Sequence, residues 1–175
     1  LAAFAYAVSL PIYLRTCGNY LREDFVLPFY FLGLFALLKT FCGDRRIWPL
    51  VGAASLWVAL ISWHASSFLV FFAAVIAATV VITTTRRTDA VVATASLVLA
   101  SAIAYAVHPA LREKAFLASP AFALTSGGFL TAVAARVVKR PSPWWLRLGA
   151  LAVATTAVFF ATRPLAATGE YSHIY

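Results

Sequence analysis

The chain has 175 residues, 63% of them hydrophobic and 11% charged, with a mean hydropathy of +0.88 and a formal net charge of +8. Ordinary globular domains run at about 45–50% apolar and about 25% charged, so a soluble domain of this length cannot hide so much apolar surface. The apolar residues come in blocks suited to crossing a bilayer core, which takes roughly 17–25 helical residues, and they lack the alternating ten-residue segments of a membrane β-barrel.

The expected fold is all-α: a polytopic transmembrane helix bundle of about seven membrane segments, the first partial. Residues 1–175 read as a single transmembrane domain and an internal fragment of a longer membrane protein. The chain begins with Leu1, its first apolar run is too short to span, and it stops in a polar stretch at Tyr175. No basic region precedes Leu1, so no cleavable signal is recognisable.

In chain order, the first apolar block covers residues 1–14. A polar island follows, Arg15-Thr-Cys-Gly-Asn-Tyr-Leu-Arg-Glu-Asp24, and the second block covers 25–40. Pro28 is expected in the first turn of that second helix, where its absent N–H costs little. A charged turn around Gly43 leads to a third block at 47–63, and a very short turn to a fourth at 66–83. Arg86-Arg87-Thr-Asp89 interrupts before a fifth block at 90–107. His108-Pro-Ala-Leu-Arg-Glu-Lys114 reads as the polar start of a short interfacial helix with Pro109 at its first position. The sixth block covers 115–135 and contains Thr125-Ser-Gly-Gly128, small residues that suit close helix packing or a kink. A break at 136–143 precedes Trp144 and Trp145, expected as headgroup-level anchors. The seventh block covers 148–162, and a polar, aromatic stretch closes the chain.

Cytoplasmic loops of membrane proteins carry the Lys/Arg excess. The interruptions alternate between two sides, one with nine basic residues and the other with five, together the chain's 14. The nine-residue side, with Lys39, Arg46, Arg86, Arg87, Arg136 and Arg147 among it, is assigned to the cytoplasm. The island is then periplasmic or lumenal, in a bacterial inner membrane or an ER membrane. Glu23, Asp24, Glu113 and Glu170 fall on that outer side, as do His64, His108 and His173. Groups able to do chemistry thus gather on the outer face. The net positive charge is scattered over separate loops and does not point to nucleic acid. Cys17 and Cys42 fall on opposite sides and cannot pair, and no metal-type Cys/His spacing occurs.

Glu23 and Asp24 stand at the mouth of a helix, where the helix dipole favours carboxylates. They read either as a helix cap or, with Arg15 and Arg22 in the same loop, as part of a site for a phosphate or pyrophosphate head. Arginine grips phosphate oxygens in a fixed fork, and a carboxylate holds a divalent cation or takes a proton. In the short turn Trp63-His-Ala-Ser-Ser-Phe68, His64 is either a headgroup-level residue, the favoured reading, or a cavity-lining group. His108 with Arg112, Glu113 and Lys114 reads as an interfacial face. Thr168-Gly-Glu-Tyr-Ser-His-Ile-Tyr175 brings Glu170 and His173 to the outer side. No phosphate-cradling glycine loop, dinucleotide fingerprint or zinc-protease motif is present.

Asn19-Tyr-Leu-Arg-Glu-Asp-Phe-Val-Leu-Pro-Phe-Tyr30, followed by an apolar helix, a basic turn, another helix and Ile61-Ser-Trp-His-Ala-Ser-Ser-Phe68, resembles membrane glycosyltransferases of the GT-C class. The resemblance runs over roughly residues 10–80 and is closest to protein C-mannosyltransferases and the catalytic subunits of oligosaccharyltransferases. Leu21-Arg22-Glu23, Phe25 and Pro28 are similar to the former. Arg15, Gly18, Tyr20 and Asp24 are similar to the acidic loop of the latter, and Trp63 resembles the tryptophan of a short outer turn found in both. One departure is that the first of the two acidic positions of the oligosaccharyltransferase loop is Arg22 here. The resemblance implies transfer of a sugar from a polyprenyl-phosphate-linked donor to a protein or glycan acceptor on the outer face. It implies that Asp24 or Glu23 binds a divalent cation (Mg or Mn) or the donor phosphate, with Asp24 as the metal ligand, and that Arg22 contacts that phosphate. Glu170 would lie near a later outer loop that supplies another acid. The alternatives are a transporter or flippase of lipid-linked anions and a non-catalytic membrane subunit. A transporter needs charges near the bilayer midplane and often paired repeats, whereas these charges sit at block ends.

Overall fold

The computed structural model describes residues 22–44, 46–62, 66–113, 115–138 and 142–167, with the backbone alone at 22–24, 66–67 and 165–167. Among the described residues all regular structure is helical: α1 (Arg22–Phe41), α2 (Trp48–Ser62), α3 (Ser66–Thr83), α4 (Arg87–Val107), α5 (Pro109–Glu113), a 3-10 turn (Phe116–Ala118), α6 (Pro120–Val137) and α7 (Trp144–Ala167). Two stretches, Arg87–Val107 and Trp144–Pro164, are long and apolar enough to cross a membrane by length and composition. Phe25–Phe41, Trp48–Ser62 and Phe68–Thr83 are shorter apolar helical stretches.

Local chemistry sets the boundaries. His108 is held extended (φ −98°, ψ 111°) because the following Pro109 disfavours the helical region for the residue before it. That ends α4 and lets Pro109 open α5. Ser119 caps α6, its hydroxyl accepting from Phe122 N–H at 3.3 Å, and Pro120 takes the first helical position, where its missing N–H is an orphan in any case. α1 begins three residues before the sequence block, which places Pro28 inside the helix and not in its first turn.

On α1, Val26, Tyr30, Leu37 and Phe41 are buried while Phe31, Leu32, Phe35 and Leu38 are exposed. The buried set recurs at helical spacing and turns one stripe inward. α1 and α2 run antiparallel and close. A Cβ added at Gly33 would come within 2.7 Å of Leu56 Cγ, and one at Gly52 within 3.4 Å of Ala36 Cβ. Small residues let helix backbones approach in this way. In space the neighbours run α1–α2–α4–α6–α7, with α3 seated on α6 and touching α4 and α7. α4 is the central element, its Ala93, Leu97, Ala100, Ser101 and Ala104 all fully buried.

The connections divide between two ends. α1, α3 and α6 finish, and α2, α4 and α7 begin, at one end; α2 and α4 finish, and α3 and α6 begin, at the other, where α1 begins. Exposed large apolar side chains cover the flanks between the ends, among them Phe68 and Phe72 on α3, Leu99 and Ile103 on α4, and Val153 and Phe160 on α7.

Candidate functional site

Arg22, Glu23 and Asp24 form the first turn of α1. The adjacent acids Glu23 and Asp24 are the only such pair in the sequence. Helix starts leave backbone N–H groups unsatisfied and favour negative charge. Pro28 adds a further feature, for it lies four residues after Asp24 within the same helix and supplies no N–H to Asp24's carbonyl. The start of α1 therefore carries a backbone acceptor freed of its helical donor, next to the acidic pair. The antiparallel packing of α1 on α2 brings this turn to the end where α2 finishes at Ser62. Of the other residues singled out in the sequence, Arg15, Tyr20, Trp63, His64 and Glu170 lie outside the described residues, as do the side chains of Arg22, Glu23 and Asp24. Among the described residues, no group of three or more His, Cys, Asp or Glu converges as metal ligands would.

The same end also carries His108, whose Nδ1 is buried with no hydrogen-bond partner among the described residues. Arg112 and Glu113 beside it on α5 are exposed. Near the end of α7, Arg163 lies over the rings of Phe159 and Phe160 at 5.4 and 5.9 Å, a cation–π arrangement.

The opposite end is organised by three arginines. Arg86 donates through Nη1 to the carbonyl of Cys42, just past α1. Arg87 donates to the carbonyl of Val138, just past α6, at 2.5 Å. Arg147 donates to the carbonyls of Thr84 and Ile82, at the end of α3, at 2.5 and 3.3 Å. The last carbonyls of a helix lack intrahelical donors and carry partial negative charge, so each cation finishes the C-terminus of a different helix. Sequence alone assigns these arginines to orienting the protein. Their capping partners lie 44 to 65 residues away, and no local pattern announces them. Gly43 serves the same junction: its φ of +101° suits glycine, and a Cβ there would meet Arg86 Nη1 at 2.7 Å. Asp44 accepts from Trp48 Nε1 at 2.7 Å. Asp89, expected in a polar interruption, instead sits in the first turn of α4 and is buried.

The interior holds hydroxyls more than charges. Thr40, Thr94, Thr125 and Thr131 are buried, and each donates to the carbonyl four residues earlier in its own helix, at 2.7 to 2.9 Å. That bonding satisfies them without any polar path between helices. The hydroxyls of Ser101, Ser126 and Thr155 are exceptions, each buried with no partner among the described residues, and Ser101 is the one whose whole residue is fully buried. Gly127 accounts for the small-residue segment of α6: a Cβ there would reach within 2.8 Å of Thr155 Cα on α7. Gly128 has open space instead.

No known protein family matches the chain, and neither curated proteins nor solved structures give a match.

Proposed function

We propose that the chain is a multi-pass membrane scaffold whose working end lies where α1 begins, and that it transfers a sugar from a polyprenyl-phosphate-linked donor at the periplasmic or lumenal face of a bacterial inner membrane or an ER membrane. The membrane half of this reading is supported by the apolar flanks: Phe31, Phe35, Phe68, Phe72, Val153 and Phe160, on α1, α3 and α7, are all exposed, and extensive exposed apolar surface marks a face that contacts protein or membrane. Orientation follows from the arginine-rich end, which suits the cytoplasm.

The observation that carries the site is the first turn of α1, whose backbone includes Arg22 and the paired acids and holds a carbonyl, that of Asp24, released by Pro28. An arginine fork for phosphate oxygens and a carboxylate for a cation or proton are the groups a lipid-borne sugar phosphate requires. The reaction class rests on the sequence resemblance set out above. Flippase activity fits less well, because the described charged residues of the long helices sit near helix ends and the buried threonines bond to their own backbone. Replacement of Asp24 or Arg22 by Ala is expected to abolish glycosyl transfer in membranes while carbonate-resistant insertion stays intact. Normal transfer by both variants would remove the enzymatic reading.

A further inference from the structure

α6 and α7 meet closely at Gly127 and Thr155. Toward the arginine-rich end a groove of about 140 Å³ lies between them. Thr131, Ala134 and Ala135 of α6, Val138 just past it, and Leu146 and Ala150 of α7 line it, together with Ser142 and Arg147. The walls are apolar in effect, since the Thr131 hydroxyl is turned to the Gly127 carbonyl at 2.8 Å. None of the lining residues is acidic.

Arg147 is an unusual choice here. It falls in the first turn of α7, where the helix dipole disfavours a cation. Its Nε donates to Ser142 Oγ at 3.2 Å and its Nη1 to Thr84 and Ile82. A guanidinium has five N–H donors, and Nη2 has no partner among the described residues. The half-buried cation is thus held in place with donors to spare beside an apolar trough. Trp144 and Trp145, 63% and 57% exposed, mark headgroup depth just before it.

We propose that this groove binds an anionic phospholipid, with the phosphate on Arg147 and an acyl chain laid against the alanines of α6. The proposal rests on the membrane reading above. Basic pockets between membrane helices on the cytoplasmic side suit anionic headgroups, and the apolar walls favour a lipid over a free phosphate ion, which would gain nothing from them.

The test uses the full chain in zwitterionic detergent, titrated separately with dioctanoyl-phosphatidylglycerol, dioctanoyl-phosphatidylcholine and inorganic phosphate, with binding read by native mass spectrometry. Saturable binding of phosphatidylglycerol is expected, with neither of the others competing. Arg147→Gln should weaken it about tenfold or more, the scale of a lost charge-assisted hydrogen bond. Because Arg147 also caps α3, Ala134→Phe provides a second variant that fills the trough and leaves the guanidinium bonds in place; it should weaken binding as well. Arg46→Gln, at an exposed position away from the groove, should leave it unchanged. Equal binding of the two lipids, displacement by phosphate alone, or full binding by Ala134→Phe would overturn the proposal. Carbonate extraction separates the two levels: a chain released as a soluble protein sinks the membrane reading and this proposal together, whereas an integral chain without phosphatidylglycerol preference sinks only the groove.

Discussion

α4 and the Trp144–Pro164 stretch of α7 are alike by length and composition: 21 residues each, with mean hydropathy 2.1 and 1.5. The fold treats them oppositely, burying 44% of the first window and 6% of the second. The difference lies in side-chain size and placement. α4 puts Ala93, Ala100, Ser101 and Ala104 toward its neighbours, so that α1, α2, α3 and α6 can all reach it. α7 touches α6, α3 and the 3-10 turn and leaves Trp145, Val153 and Phe160 outward. Hydropathy reports what a helix can tolerate around it; whether neighbouring helices or the exterior supply those surroundings follows where the small residues fall.

The sharpest way to test that contrast is to cut equivalent side chains. Leu97→Ala on α4 removes a fully buried side chain and is expected to cost about 2–5 kcal/mol. Val153→Ala on α7, where Val153 is 72% exposed, should stay within about 0.5 kcal/mol of the parent. Unfolding in detergent followed by circular dichroism measures both, and equal losses would erase the distinction. Next in size is the junction that holds α7 on. Gly127→Val drives a side chain into Thr155 and should cost about 1–3 kcal/mol, while Gly128→Ala meets open space and should gain as much as about 1 kcal/mol of helix propensity.

Smaller in energy but direct in meaning is an accessibility measurement. A nitroxide attached at Val153→Cys should collide freely with oxygen dissolved in a bilayer, and one at Leu97→Cys should not. Matching accessibilities would mean that α7 is covered in the assembled protein. Cys42 offers a last check on orientation, since its thiol is free and exposed at the arginine-rich end. With Cys17 replaced by Ser, a membrane-impermeant maleimide should label Cys42 only after the cytoplasmic side is opened. Labelling of intact cells would invert the assigned topology.

Helix existence was legible because long apolar blocks leave little choice of backbone. The block at 66–83 coincides with α3, and 90–107 shares its end with α4. The starts were less legible, because polar residues within a helix look like interruptions. Arg22 to Asp24, Arg87 to Asp89, and Trp144 to Arg147 all lie inside helices. Hydropathy registers their polarity and says nothing of their backbone. The sixth block failed differently: a left-handed Ala115 (φ 48°) and the 3-10 turn delay α6 until Ser119 can cap it. The candidate site was legible as composition, an acidic pair against an apolar helix. Its freed carbonyl was not, since that needs the helix to reach back through Asp24, four residues before Pro28.

The three arginine bonds at the basic end also constrain the order of biogenesis. Each joins a helix end to a side chain 44 to 63 residues further along or, for Val138, 51 residues earlier. Chains emerge from the ribosome amino end first, so the carboxyl ends of α1 and α3 wait for Arg86 and Arg147 to be made, and Arg87 waits for Val138. The clasp at that end can close only once α7, which carries Arg147, has been made and packed, so its completion reports that α1, α3, α6 and α7 have come together.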